Sequence, residues 1–282
     1  MKNPKILSIQ DISCYGQCSL TVALPILSSL GVETAILPTA ILSTHTAGFQ
    51  GFTFRDLKDD LPAIAAHWKK EGIRFDAIYT GYLGNEDDVR LVVDIAESEL
   101  NQGPIIVDPA FGDQGKLYGL FDENYVRAMR ELAKCSDLLL PNLTEAAFLL
   151  GRPYNPNPDE EEIQALLQGL LDLGAKAVLL KGIGDDSSTT GFVLAQEGKV
   201  LRYSHQRINQ DFHGTGDVFA SSFVGGLVRG LNAYDAGVLA ADFTLSCISN
   251  TIDDPEHRYG VKFEPLLYGL EQRLRIALGQ KR

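Results

Sequence analysis

The sequence predicts an α/β protein, a three-layer αβα sandwich with a mostly parallel central sheet and a β-hairpin at one end. Two observations carry that prediction. Short runs rich in Ile, Leu and Val alternate with longer segments of helical periodicity, the pattern of a parallel sheet covered by helices on both faces. The strand-like runs are apolar almost throughout, as strands buried on both sides must be.

The first half predicts strands over residues 5–9, 33–37, 75–80, 104–107, 137–140 and 175–180, with helices over 19–30, 56–71, 85–100, 122–134 and 159–173. Several of these helices open on a Ser, Asp or Asn able to cap free amides. Residues 190–196 and 199–205, around Glu197-Gly198, read as two strands joined by a tight turn, which supplies the hairpin. Helices follow over 217–230 and 233–251, with a last one from about Phe263. Nothing resembles a linker, a repeat or a low-complexity tract, and residues 152–159, with three prolines, read as a surface loop. The whole of 1–282 therefore reads as a single domain.

Composition narrows the function. Of 282 residues, 25 are Lys or Arg and 37 Asp or Glu, a net charge of −12, so nucleic acid and anionic membrane surfaces feel no long-range attraction. A phosphate-bearing ligand must be held locally instead, by backbone amides, a few cations and a metal. The four cysteines, Cys14, Cys18, Cys135 and Cys247, form no CxxC pair and no zinc pattern, which fits a reduced cytoplasmic protein. No targeting segment is expected at the N-terminus, and no apolar run approaches the roughly 20 residues that span a bilayer.

In an open α/β sheet, ligands bind at the carboxyl ends of the strands. Polar and glycine-rich residues collect there, at 10–16, 43–51, 81–84, 108–115, 141–145 and 181–185. The sharpest signal is His213-Gly214-Thr215-Gly216-Asp217, directly before a helix. Its glycines let the backbone approach a ligand, and a helix start offers unpaired amides and a positive dipole end, which suits a phosphoryl group. Asp217 in a first turn also suits simple dipole complement; the glycines, which a mere cap does not need, favour the functional reading. Asp108 and Asp113 offer paired carboxylates for a divalent metal or its waters, or the ends of an ordinary turn. Glu145, after Pro141-Asn142, is in a first helical turn where dipole complement is common. Lys181 ends a buried strand, as a solvated lysine or as a point cation for phosphate. The argument is their convergence on one edge of the sheet.

Rival motifs are missing. The sequence has no GxxxxGK[ST] phosphate loop, no complete dinucleotide fingerprint and no GxSxG elbow. Cys14 and Cys18 read as inert small hydrophobes. His45 and His213 alone among the histidines fall at ligand loops, while His67, His205 and His257 read as surface or edge residues.

Taken together, Ser8-Ile9-Gln10, Ser43-Thr44-His45-Thr46, Thr80-Gly81-Tyr82, Asp108-Pro109 with Gly112-Asp113, Pro141-Asn142 with Glu145, and Gly214-Thr215-Gly216-Asp217 resemble the pyridoxal kinases of the ribokinase-like superfamily. The likeness runs over nearly the full length. The glycine motif marks the superfamily, and the His45-Thr46 and Gly81-Tyr82 segments select the vitamin kinases within it. The resemblance implies ATP-dependent phosphorylation of the 5′-hydroxymethyl group of pyridoxal, pyridoxamine or pyridoxine, in vitamin B6 salvage. It implies Asp217 as the base, with Gly214, Thr215 and Gly216 forming the hole around the transferring phosphoryl, in line with the positioning and charge neutralisation that phosphoryl transfer needs. It places Asp11, His45, Thr46 and Tyr82 at the vitamin, with Tyr82 packed on the ring. Asp113, Tyr118, Asn142, Glu145 and Lys181 fall at ATP, with residues 113–119 as a mobile loop over the nucleotide. Asp108, Asp113 and Glu145 serve Mg²⁺ through water, and a monovalent cation such as K⁺ is left open. The relatives are commonly dimers, so a homodimer is expected, with neither nucleic acid nor membrane as partner.

Two positions depart from the family. Asp11 stands where several pyridoxal kinases carry a hydroxyl residue, and Leu42 where they place an aromatic. Asp11 is expected to accept hydrogen bonds from the ring substituents and so to favour pyridoxamine. The nearest alternative activity is a hydroxymethylpyrimidine kinase of thiamine synthesis, whose substrate is also a small aromatic ring with a hydroxymethyl group. A sugar kinase would want several Asp and Asn side chains in the early loops and a β-sheet lid near the N-terminus. A nucleotide-binding regulator without catalysis is the alternative from another class, and the intact Asp217 argues against it.

Overall fold

The computed structural model describes residues 3–46, 49–210, 212–254, 256–257 and 259–280. In chain order it begins with β1 (Lys5–Ser13), α1 (Leu20–Ser29), β2 (Glu33–Leu42) and β3 (Phe54–Asp56). There follow α2 (Leu61–Lys70), β4 (Ala77–Thr80), α3 (Glu86–Ala96), β5 (Ile105–Val107) and a small hairpin, β6 (Gly112–Asp113) with β7 (Lys116–Leu117). Then come α4 (Glu123–Lys134), β8 (Leu138–Leu139), α5 (Leu143–Leu150), α6 (Glu160–Leu173), β9 (Ala177–Lys181), β10 (Thr189–Gln196) and β11 (Lys199–Gln206). The chain closes with α7 (Thr215–Val228), α8 (Ala233–Thr251), a 3₁₀ turn at Glu264–Leu266 and α9 (Leu267–Ala277). Mostly parallel strands flanked by helices, with a terminal antiparallel hairpin, are the expected α/β architecture.

The sequence reads as one domain; the contacts gather into two compact units, residues 1–59 with 208–282, and residues 60–207. In the first, β1 pairs parallel with β2, and β3 adds to β2 antiparallel. Helix α1 covers β1 and β2 and packs on α7, which in turn packs along α8. In the second unit the strand order is β11-β10-β9-β8-β5-β4. There β4, β5, β8 and β9 run parallel, and β10 and β11 are antiparallel.

Several boundaries differ from the sequence expectation, each for a local reason. Strand β1 continues past Ile9 to Ser13 because its polar residues stay paired while buried: Gln10 Nε2 donates to Ser8 Oγ at 2.9 Å, and Ser13 Oγ to Asp11 Oδ2 at 3.0 Å. Asp11 therefore lies in a strand, opposite an irregularity in the β1–β2 register between Gln10 and Ile12. Helix α2 starts at Leu61 rather than Asp56, because Phe54–Asp56 are taken up by β3 and the Leu57 N–H donates to Thr39 O at 3.0 Å. Residues 113–117, expected as a glycine-rich loop over nucleotide, belong to the β6–β7 hairpin. Of the second candidate loop, Ala47 and Gly48 lie outside the described residues.

The second unit's core is fixed by fully buried apolar side chains such as Ile106, Leu139, Leu180 and Phe192. Phe192 sits opposite Lys181 in the β9–β10 register and stacks on Tyr203 with ring centroids 5.7 Å apart. Phe192→Ala is expected to cost about 3–5 kcal/mol, read as a lowered midpoint in urea unfolding; a midpoint equal to the native one would show that Phe192 is not a core anchor.

Candidate functional site

Two polar clusters stand out, one in each unit. In the first unit the predicted glycine motif sits at the start of α7. Gly214 is the residue before the helix, in the left-handed region with φ 75°. Glycine is required there twice over: the conformation penalises any β-carbon, and one built on Gly214 would fall 1.8 Å from the Gln17 carbonyl oxygen. At Gly216 the same position is open, with no atom within 4 Å. Thr215 Oγ1 donates to the Phe212 carbonyl at 3.2 Å, and Asp217 lies in the first turn. The Asp217 Oδ2 atom accepts the Ser19 N–H at 3.0 Å.

Ser19 is itself unusual. Its backbone, at φ 53° and ψ −130°, lies where non-glycine residues are rarely found, a conformation worth about 1–3 kcal/mol of strain. It precedes α1, whose Val22 and Ala23 amides donate to its carbonyl at 3.1 and 2.9 Å, and it forms an isolated β-bridge with Ile12. Its hydroxyl makes no capping bond to the helix; its side chain lies beside Asp11.

Asp11 is 4% exposed, and its carboxylate accepts the Ser13 hydroxyl, with the Ser19 side chain beside it. Burial raises its pKa above the ordinary value, and the two hydroxyl donors pull it back. The side chain expected to reach a ring substituent thus spends its carboxylate inside the fold. Burial, together with the Asp217 and Asp11 carboxylates, pushes the Cys18 thiol well above its usual range.

His45 is buried. Its ring packs edge-on to Phe49 at 4.9 Å and tilted to His213 at 5.4 Å, and its Nε2 lies 3.2 Å from the Tyr259 carbonyl oxygen. A β-carbon on Gly16 would come within 2.2 Å of this imidazole. Thr46 is exposed beside it. Tyr15 joins this aromatic wall, 5.0 Å from the Tyr259 ring and 6.0 Å from Phe49.

In the second unit, Lys181 Nζ forms an ion pair with Asp108 Oδ1 at 2.8 Å, both side chains largely withdrawn from solvent. The cation expected to face phosphate is therefore already engaged by a carboxylate. Glu145 is buried at the start of α5. Its Oε1 accepts the Phe111 N–H at 3.1 Å and its Oε2 the Asn142 N–H at 2.9 Å, the latter half of a capping box in which Asn142 Oδ1 accepts the Glu145 N–H. Asn142 Nδ2 also donates to the Gly112 carbonyl at 2.8 Å, and Thr144 Oγ1 accepts the Gly115 N–H at 2.9 Å. These bonds pin the β6–β7 hairpin to α5, with exposed Asp113 and Tyr118 at its rim. Tyr82 is half-buried, its ring 5.1 Å from Phe121, which stacks on Tyr125 at 3.8 Å.

Among the described residues no three His, Cys, Asp or Glu side chains are grouped to hold a metal directly. With both Glu145 oxygens on amides and Asp108 on Lys181, these carboxylates fit a hydrated ion met through its waters.

The chain as a whole is similar to known proteins. Residues 24–261 match the family model described as phosphomethylpyrimidine kinase. The chain belongs to that family. A candidate phosphomethylpyrimidine kinase from Bacteroides thetaiotaomicron, crystallised with pyridoxal, is 37% identical, with a TM-score of 0.90 over 96% of each chain. The pyridoxal kinase of Lactobacillus plantarum is 32% identical, with a TM-score of 0.89 over 97% of this chain and 98% of that one. The hydroxymethylpyrimidine/phosphomethylpyrimidine kinase of Bacillus subtilis is 28% identical over 255 residues, 88% of this chain and 90% of its own. The fold is thus ribokinase-like and the chain a family kinase, with relatives on both the pyridoxal and the pyrimidine side.

Sequence reasoning passed over two features of these clusters. Ser19 looked like an ordinary helix cap; its only sequence signal is its place after the polar end of β1. The Tyr259 segment, whose carbonyl also accepts the Gln17 N–H at 2.9 Å, carries no motif.

Burial pushes Glu145 up to about 8, assisted by Asp108 and opposed by Lys181 and the two amides. The folded chain therefore holds a proton that the unfolded chain releases at an ordinary carboxylate pKa. The stability this proton confers is complete below about pH 4 and is lost as the pH rises toward 8. The native protein is expected to lose thermal stability between pH 5 and 8 more steeply than Glu145→Gln, by at most about 1.4 kcal/mol per pH unit. Parallel Tm-against-pH curves would exclude this assignment.

Proposed function

We propose that the chain transfers the γ-phosphoryl group of ATP to the 5′-hydroxymethyl group of pyridoxal, pyridoxamine or pyridoxine. The observation that carries this is Asp217, in the first turn of α7 behind a left-handed Gly214, with one carboxylate oxygen fixed by the Ser19 N–H and the other end of the helix start left open at Gly216. In the reaction Asp217 takes the proton of the acceptor hydroxyl as its oxygen attacks the γ-phosphorus and the bond to the β-phosphate oxygen breaks, releasing ADP. The amides at Gly214, Thr215 and Gly216 hold the phosphoryl oxygens as charge builds on them. His45 and Thr46 serve the acceptor from the first unit, and Tyr82 offers a ring face for the heterocycle.

In the second unit Asn142, Asp113, Tyr118 and the Lys181–Asp108–Glu145 cluster serve the nucleotide. Asp108, Asp113 and Glu145 would meet a hydrated Mg²⁺, which when bound neutralises charge on the phosphates. A homodimer in the cytoplasm is the expected setting. The vitamer reading is supported by the pyridoxal bound in the Bacteroides thetaiotaomicron crystal and by the likeness to the Lactobacillus plantarum pyridoxal kinase. The pyrimidine reading is kept by the Bacillus subtilis relative and the family model.

Asp217→Asn and Asp217→Ala are expected to lose about 10²–10⁴ in kcat while nucleotide binding, measured by calorimetry, stays within a fewfold of native. Near-native turnover in either variant removes Asp217 as the base. A panel of the three vitamers and hydroxymethylpyrimidine, followed by ADP release, is expected to give a kcat/KM at least tenfold higher for a vitamer. The reverse order would assign the chain to the pyrimidine.

A further inference from the structure

The polar residues at the end of β1 and the start of α1 have an arrangement that neither ordinary capping nor packing requires. A serine before a helix normally turns its oxygen to the free amides of the first turn. Ser19 does not; its side chain lies beside Asp11 while its N–H goes to Asp217 at 3.0 Å. In this position it adopts φ 53° and ψ −130°, a backbone state that suits glycine. It is also bridged to Ile12, the residue after Asp11. A residue that gives up its cap and accepts a strained backbone is being used to aim something. What it aims is the N–H on Asp217.

We propose that Ser19 is a positioning residue for phosphoryl transfer: Asp11 anchors its hydroxyl, the anchored hydroxyl holds the left-handed turn, and the turn keeps the Ser19 N–H on Asp217. This rests on the reading of Asp217 as the base. Asp11 then acts through Ser19 and not on the acceptor ring, so it affects the rate of transfer and not the choice of vitamer. A charge-assisted anchor is stronger than one between neutral hydroxyls, which gives the carboxylate at position 11 a purpose inside the fold.

The test compares native protein, Ser19→Ala, Ser19→Gly and Asp11→Ser by steady-state kinetics with all three vitamers. Nucleotide affinity and Tm are measured alongside. Ser19→Ala keeps the β-carbon that opposes the turn and loses the anchor; kcat is expected to fall tenfold or more, the scale of effect that slight misplacement of a reacting group produces, with the KM for ATP within twofold of native. Ser19→Gly also loses the hydroxyl but adopts the turn without strain, so kcat should recover to within about threefold of native. Asp11→Ser should lower kcat for every vitamer while leaving their ranking unchanged.

Native kcat in Ser19→Ala overturns the proposal. So does a Ser19→Gly variant as slow as Ser19→Ala, which would mean that the hydroxyl itself acts in the reaction. An altered vitamer ranking with kcat preserved in Asp11→Ser would make Asp11 a substrate contact and also overturn it. A fall in Tm with kcat unchanged would reduce Ser19 to a structural role. The underlying reading fails separately, if Asp217→Asn keeps native turnover while Ser19→Ala does not.

Discussion

A carboxylate taken out of water must be given donors or a cation, and each of the two polar clusters is organised around that demand. Asp11 takes the hydroxyl of Ser13 and has the Ser19 side chain beside it. Asp217 takes the Ser19 amide, Glu145 takes the amides of Phe111 and Asn142, and Asp108 takes the ammonium of Lys181. Asp88, at the start of α3, accepts the Gly84 N–H at 3.1 Å and so holds the loop that carries Tyr82. Each pairing fixes the backbone of a loop at a strand end. The shapes of those loops follow from what the carboxylates need, and the positions of the functional side chains follow from the loops.

The same demand shapes how a chain of net charge −12 handles phosphate. Its overall field repels a polyanion, so attraction has to be short-ranged and built from fixed dipoles. The start of α7 supplies amides without adding positive charge. Lys181, the cation at the strand end, is already balanced by Asp108, so the second cluster has little net positive charge of its own. A divalent ion arriving with the nucleotide would bring the missing charge, and water-mediated contact suits carboxylates whose oxygens already have partners.

The sequence makes some of this legible and hides the rest for identifiable reasons. The glycine motif is readable because Gly214 needs a left-handed backbone beside the Gln17 carbonyl, and only glycine supplies it. Asn142 and Glu145 at a helix start have the spacing of a capping box, and the structure forms it. The helices Glu123–Lys134 after Asp122 and Glu160–Leu173 after Asp159 lie within a residue of their expected bounds, while Glu86–Ala96 after Asn85 stops four residues short of its expected end. Strand β1 extends beyond its apolar run because Gln10 is buried on a bond to Ser8 and Ser13 on a bond to Asp11, which no periodicity reveals. Strand β3 and the β6–β7 hairpin are two or three residues per strand and are set by partners elsewhere. The Lys181–Asp108 pair joins residues 73 apart, and no local pattern announces it.

Position 11 shows how much a reading at the substrate depends on the direction of the side chain. A carboxylate at the end of β1 invites a reading at the substrate, because a charge near a binding loop is the obvious cause of specificity. The structure turns that carboxylate inward, 4% exposed, toward two serines. A buried ionised group with two hydroxyl donors makes stronger bonds than a buried hydroxyl would make to the same partners, and its desolvation is tolerable only while both remain. Asp11, Ser13 and Ser19 thus form one unit, in which replacing any member leaves the others short of a partner. The departure at position 11 is better understood as a reinforcement of the turn that carries an amide to Asp217 than as an added contact to the acceptor ring. Discrimination between vitamers then has to come from groups whose polar atoms are not already committed to the fold.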